Sequence, residues 1–466
     1  MKVVVIGAGF AGLCVGALLK QAGFADLTLI ERGDGVGGVW RENRYPGAAC
    51  DVPTPLYSYS FEHGHAWSAA YAPQAEMLRY LQHCARKYGL EQHLRCGVGA
   101  THARYDGEEA RWTVQCSNGE AMQCDVLIPA VGIFNTPVVP SFAHAQSFEG
   151  VAFHSAQWRD DVDLRGRRVA VIGSGASAVQ IVPALAGIAA RVDVVQRSPL
   201  YVMPRKPVDM GAMASERERL FREFDEVANR RKSTEGAQAA QQAFADHLER
   251  TVRDPDLRRA LTPGFLFGCK RTLFSDEWYP ALQKPNVRPI FAHVERLTPT
   301  GIAFTDGTSA EVDAIVYATG FDPARYLPGL EVEANGTTLR DTWRQGARAH
   351  LGISVAGFPN LFFMYGPNTN VAGSVVHMHE CQARYIVQCL QAMAASGATA
   401  MEVRSDVMER SCDRIQQRLA VSVMDGAHCS SYAMDAAGRV VVQYPGSQSD
   451  YERETVQVDL GEFLMR

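Results

Sequence analysis

Two glycine-rich turns, one at the start of the chain and one in its middle, narrow the possible folds more than any other feature. Residues 2–6 are largely β-branched and run into Gly7-Ala8-Gly9-Phe10-Ala11-Gly12, followed by a helical pattern through Leu13, Ala17 and Leu18. Arg168-Val169-Ala170-Val171-Ile172 leads in the same way into Gly173-Ser174-Gly175-Ala176-Ser177-Ala178. A lone GxGxxG says little. Set between a strand and a helix, with a suitable residue closing the next strand, it marks a dinucleotide site. The glycines permit the tight turn and let a pyrophosphate reach the free N–H groups of the helix N-terminus.

The residue after the second strand of each unit separates their ligands. Leu27-Thr28-Leu29-Ile30 ends in Glu31, a hydrogen-bond acceptor for a ribose diol such as that of FAD. Arg197 stands at the same offset from Gly173 and is followed by Ser198. An arginine pairs with a 2′-phosphate where an acid would repel it, so the second unit suits NADPH. Each unit also closes on one pattern, Asp125-Val126-Leu127-Ile128-Pro129-Ala130-Val131-Gly132 and Asp313-Ala314-Ile315-Val316-Tyr317-Ala318-Thr319-Gly320. The expected fold is therefore α/β with two Rossmann-like dinucleotide-binding domains. The expected division is 1–142 with 324–466 for FAD and 143–323 for NADPH. A helical insertion at about 208–265 is expected in the second domain, opened by a Ser215/Glu218 capping box. Gly357–Tyr365 reads as a strand and Ser374 as the start of a helix, together completing the first domain; Arg439–Tyr444 also carries a strand signal.

Composition limits the partners. The 466 residues hold 47% hydrophobic and 21% charged side chains, with a formal net charge of -5. That balance, with no basic block, argues against nucleic acid. The apolar start reads as strand, turn and helix rather than a leader, and no other apolar run approaches membrane-spanning length. Eleven cysteines without a CxxC read as reduced thiols of a soluble cytoplasmic protein. His377 and His379, two apart on a helix, fall on opposite sides of it, so no metal is expected.

The stretches between these elements carry further motifs. Gly37-Gly38-Val39-Trp40 continues through Tyr45-Pro46-Gly47 to Asp51, a loop composition suited to ligand contact. Phe148, Gly150, His154 and Trp158 form a spaced connector before the second turn, and Gly268-Cys269-Lys270-Arg271 concentrates positive charge. With the two turns and the Ala318-Thr319-Gly320-Phe321-Asp322 run, this set resembles the class B flavoprotein monooxygenases, and the connector resembles the fingerprint of the Baeyer–Villiger type. The likeness covers nearly the whole chain and weakens in the insertion and the last forty or so residues. Arg159, where the family has Pro or Asp, and Val131, where it has Thr, depart from the pattern.

The resemblance implies an NADPH- and O2-dependent FAD monooxygenase whose flavin C4a-peroxide inserts oxygen next to a ketone carbonyl of a small organic substrate. It places the catalytic arginine at Arg271 and its tuning acid at Asp51, with Lys270 joining Arg197 and Ser198 at the NADPH phosphate. Gly7, Gly9, Ala11, Gly12, Glu31, Gly38, Val39, Trp40, Asp51 and Val375 are the expected FAD contacts. Gly173, Ser174, Gly175, Ala176, Ser177 and Gln180 complete the NADPH set. His154 is expected to bond backbone carbonyls rather than act as a base, and Trp158 to pack at the domain junction. N- or S-oxygenation on the same scaffold is the main alternative. A flavin disulfide reductase and a non-catalytic FAD/NADP-binding protein rank below it, since Cys14 and Cys50 lack redox-pair spacing.

Overall fold

A computed structural model describes residues 1–62, 64–230, 233–425 and 429–466; residues 231–232 of the expected insertion and 426–428 of the C-terminal stretch lie outside these. Two parallel sheets carry the two turns. The first runs in the order Leu94–Cys96, Leu27–Glu31, Val3–Ile6, Val126–Pro129. The second runs Val287–Ile290, Arg191–Val195, Arg168–Ile172, Ala314–Tyr317, Val151–His154. Consecutive residues Val3, Val4 and Val5, and likewise Val169, Ala170 and Val171, are fully buried. A parallel strand covered on both faces is apolar on both, which is why these runs do not alternate. Each buried valine contributes roughly 1.5–3 kcal/mol relative to exposure.

The repeated closing pattern has a physical meaning at atomic resolution. Asp125 accepts a hydrogen bond from the Lys2 backbone N–H at 2.6 Å, and Asp313 accepts one from Arg168 N–H at 2.7 Å. Gly7 has φ 106°, and a Cβ there would lie 2.6 Å from the Ala130 carbonyl oxygen; Gly173 has φ 126°, and its Cβ would lie 2.2 Å from that of Ala318. The acid of each pattern thus holds the start of the neighbouring strand, and the alanine backbone packs against the first glycine of the turn. Gly173→Ala combines a left-handed φ with a backbone clash, so it should cost roughly 2–4 kcal/mol, read as a lowered Tm.

Three local expectations are corrected. The insertion helix spans Met213–Arg230, so Ser215 lies inside it and donates from Oγ to Ala212 O at 3.0 Å instead of capping; Asp209 caps the preceding short turn. Gly357–Tyr365 is not one strand, because Asn360 and Tyr365 have φ of 57° and 60°. Its middle still lies along Val126–Pro129: Phe362 N–H donates to Leu127 O at 3.1 Å and Met364 N–H to Pro129 O at 2.9 Å. Arg439–Tyr444 makes only isolated bridges, Met434 with Val440 and Asn370 with Gln443.

After the second parallel sheet, the chain pairs again with an early segment in a separate five-stranded sheet. There Glu331–Ala334 pairs in parallel with Ala100–Asp106, which continues to Arg111–Cys116 and Ala121–Cys124. Arg217 docks the insertion helix: it donates to Pro55 O at 2.8 Å and Ser58 O at 2.9 Å, and lies 4.0 Å from the fully buried Glu380. Among the described residues no helix is long and apolar enough to cross a membrane.

Candidate active site

A cavity of about 1050 Å³ runs between the two turns. Helix Phe10–Gln21 and helix Ala176–Leu185 both begin on it, at Gly9 and Gly175, and neither has a side-chain cap. Their first N–H groups are therefore available to an anion. Gly9 and Gly38 bring their backbones together, a Cβ on Gly38 falling 3.1 Å from Gly9 Cα, while a Cβ on Gly175 would meet nothing within 4 Å. Glu31 is positioned by two backbone donors, Ala8 N–H and Gly33 N–H, both at 2.8 Å.

Nearly all of the expected contact residues line this cavity: Gly7, Gly9, Ala11, Glu31, Gly38, Val39, Trp40, Asp51 and Val375 on one side, and Gly173, Ser174, Gly175, Ala176, Ser177, Arg197, Ser198 and Lys270 on the other. Two of the expected residues do not. Gly12 serves packing, since a Cβ there would lie 1.9 Å from Gly7 O. Gln180 is spent on the Tyr45–Ala49 loop: its Oε1 accepts from Tyr45 Oη at 3.0 Å, and its Nε2 donates to Ala49 O at 2.9 Å. Gly47 fits this junction because a Cβ would lie 2.6 Å from Gln180 O. The same loop is held from its other side by Cys50 N–H donating to Ala72 O at 2.9 Å.

That loop delivers Asp51 to Arg271. The Arg271 Nη2 donates to both Asp51 oxygens at 2.6 Å, although the two residues are 220 apart in sequence. Arg271 sits just before Leu273–Phe274, a short strand paired in parallel with Val202–Met203. Asp51 raises the arginine pKa further, against the opposing effect of burial, with Tyr432 and Tyr365 adding to the rise. With 39% of its side chain facing the open cavity, Arg271 is a permanent cation presented to a ligand.

Lys270 and Arg197 form the second cationic point. Neither has an ion pair among the described residues, and Lys270 Nζ lies 4.7 Å over the Phe265 ring. Burial, and then the Arg197 charge, hold the lysine pKa below its usual range. Two neighbouring cations with no ion pair of their own among the described residues are suited to a dianionic phosphate. His154 donates from Nε2 to Gly320 O at 3.0 Å and accepts Ala156 N–H on Nδ1 at 3.1 Å, so it is a neutral structural imidazole. Trp158 packs edge-on against Phe153 at 5.1 Å. Arg159 is exposed and pairs with Asp161.

Other residues of the site were not among the expected contacts. Phe224 and Val227 of the insertion line the cavity, as do Tyr57, Tyr365, Tyr432 and His379. His379 is 4% exposed, with burial holding its pKa down to about 3 and no partner for either ring nitrogen among the described residues. It therefore offers a bound molecule one donor and one acceptor. The reading of all cysteines as free thiols is also corrected: Cys269 and Cys429 are joined, their Cα atoms 5.5 Å apart across 160 residues. No metal-holding cluster of three or more His, Cys, Asp or Glu occurs among the described residues.

Comparison with known proteins places this geometry among relatives. The family described as pyridine nucleotide-disulphide oxidoreductase matches residues 4–227. A Baeyer-Villiger monooxygenase of Streptomyces coelicolor is 38% identical over 483 residues, covering 99% of this chain and 92% of its own. A steroid monooxygenase solved with NADP superposes with TM-score 0.90 at 29% identity, covering 100% of this chain and 99% of that one. OTEMO solved with FAD and NADP gives TM-score 0.90 at 26% identity, with the same coverage.

Proposed function

Because the chain belongs to the Baeyer–Villiger monooxygenase family, we propose that Arg271 and Asp51 are the catalytic pair with which it inserts one atom of O2 beside the carbonyl of a small organic ketone, giving an ester or lactone. The enzyme is an FAD-containing, NADPH-dependent monooxygenase. The observation that carries the reading is the grip of both Asp51 oxygens on Arg271 where the two dinucleotide cradles meet.

The residues present fit both cofactors. FAD would be held by the turn at Gly7, Gly9 and Ala11, by Glu31, by the Gly38-Val39-Trp40 loop and at Val375. NADPH would lie on Gly173 to Ser177, with its 2′-phosphate between Arg197, Ser198 and Lys270. When bound, NADPH supplies a hydride and FAD supplies the redox chemistry that activates O2.

The chain's own groups then decide where the oxygen goes. Arg271 stabilises negative charge on the oxygen being transferred and on the carbonyl oxygen as the new bond forms. Asp51 fixes the direction of the guanidinium and offsets its desolvation. Trp40, Tyr57 and Tyr365 wall the cavity with aromatic surface that limits access of water and protons. A panel of ketones, assayed for ester with NADPH under air, tests the reading; sulfoxide or N-oxide in place of any ester would sink it.

The lysine supports a pH prediction. Phosphate binding needs its charged form, and its lowered pKa means that form is lost sooner than usual as pH rises. The kcat/KM for NADPH, which reports the free enzyme, should therefore fall on the alkaline side. Lys270→Arg should remove that limb from the pH profile.

A further inference from the structure

The bond between Cys269 and Cys429 joins two stretches that both face the cavity. Cys269 directly precedes Lys270 and Arg271, and Cys429 directly precedes Ser430, Ser431 and Tyr432; all five of these neighbours line it. The segment carrying Arg271 has no regular structure between helix Pro255–Leu261 and strand Leu273–Phe274. Its anchors on either side are Cys269 N–H to Leu266 O at 3.1 Å and Leu273 N–H to Tyr201 O at 2.9 Å. Tyr432, on the other side of the bond, lies close enough to Arg271 to add to the rise in its pKa that Asp51 chiefly causes.

We propose that the Cys269–Cys429 disulfide is a positioning device for the reaction, holding the Arg271 loop and the Ser430–Tyr432 segment in one register so that cation and substrate wall meet. This rests on the function proposed above. A charge displaced by about 1 Å can lose on the order of 10²-fold in rate, so an irregular loop needs a tether beyond one ion pair. The sulfurs suit that task because Cys269 and Cys429 are 5% and 2% exposed, shielded from casual exchange. Opening the tether takes a dithiol: two electrons and two protons pass to the cysteines, giving two thiols, and the dithiol closes to its own disulfide.

Three measurements on the FAD-loaded enzyme test this. A non-reducing peptide map should recover the 269–429 cross-link with the other nine cysteines alkylated. Cys269→Ser, Cys429→Ser and the double variant should bind FAD and be reduced by saturating NADPH as before. Hydrogen peroxide released per NADPH should rise, and product per NADPH should fall by about tenfold, equally in all three. If the serine variants fail to fold, dithiothreitol treatment of the native enzyme should give the same uncoupling, reversed on reoxidation. A map without the cross-link would overturn the proposal, and so would a lowered Tm with unchanged coupling. Because peroxide per NADPH can be read with a ketone or a sulfide acceptor, failure of the ketone reading is distinguishable from failure of this one.

Discussion

Replacing Arg271 with alanine should remove ester formation while NADPH oxidation continues. The loss expected is about 10²–10³-fold in product turnover, the range for deleting one electrostatic stabiliser aimed at developing charge. The proposed NADPH contacts are made by other residues, so cofactor consumption should persist and its electrons appear as hydrogen peroxide. Arg271→Lys keeps a charge but loses the planar group that Asp51 holds, so it should recover only part of the activity. Asp51→Asn should fall between wild type and Arg271→Ala, because the cation remains while its partner's charge is gone. Product per NADPH, measured by chromatography beside a peroxide assay, separates these cases. Ester formation that survives Arg271→Ala would refute the assignment.

Arg197→Ala should erase most of the preference for NADPH over NADH. A charge-assisted hydrogen bond contributes about 1.5–3 kcal/mol, so the ratio of kcat/KM values should fall by roughly 10–100-fold. The change should sit almost entirely in the NADPH arm, since NADH carries no phosphate for Arg197 to meet. Arg197 is exposed and has no ion pair among the described residues, so its removal should leave Tm unchanged. Lys270→Ala should act in the same direction, and the double variant should lose less than the sum if both cations hold one phosphate. Equal losses with NADPH and NADH would show that Arg197 does not read the phosphate.

The paired-turn architecture was legible because steric rules write themselves into sequence. Gly7 and Gly173 stand where φ is positive and a carbonyl lies against the turn, and Asp125 and Asp313 stand where each neighbouring strand needs an acceptor. Contacts between irregular segments leave no such period. Asp51 meets Arg271 across 220 residues, and Cys269 meets Cys429 across 160, both through loops. The first pair was visible only through family resemblance, and the second had no spacing to betray it. Gln180 lies one turn beyond the nucleotide turn on the same helix, and its bonds to the Tyr45–Ala49 loop are a contact that the turn's spacing does not announce. Ser215 looked like a cap because its spacing to Glu218 is right, yet the helix begins two residues earlier.

The most direct test of the central claim is mass spectrometry of the product formed from a ketone, NADPH and 18O2. The wild-type enzyme should give an ester carrying one heavy oxygen, and Arg271→Ala hydrogen peroxide without labelled ester. NADPH consumption by the wild type with no labelled ester from any ketone, alongside labelled sulfoxide from a sulfide, would contradict it.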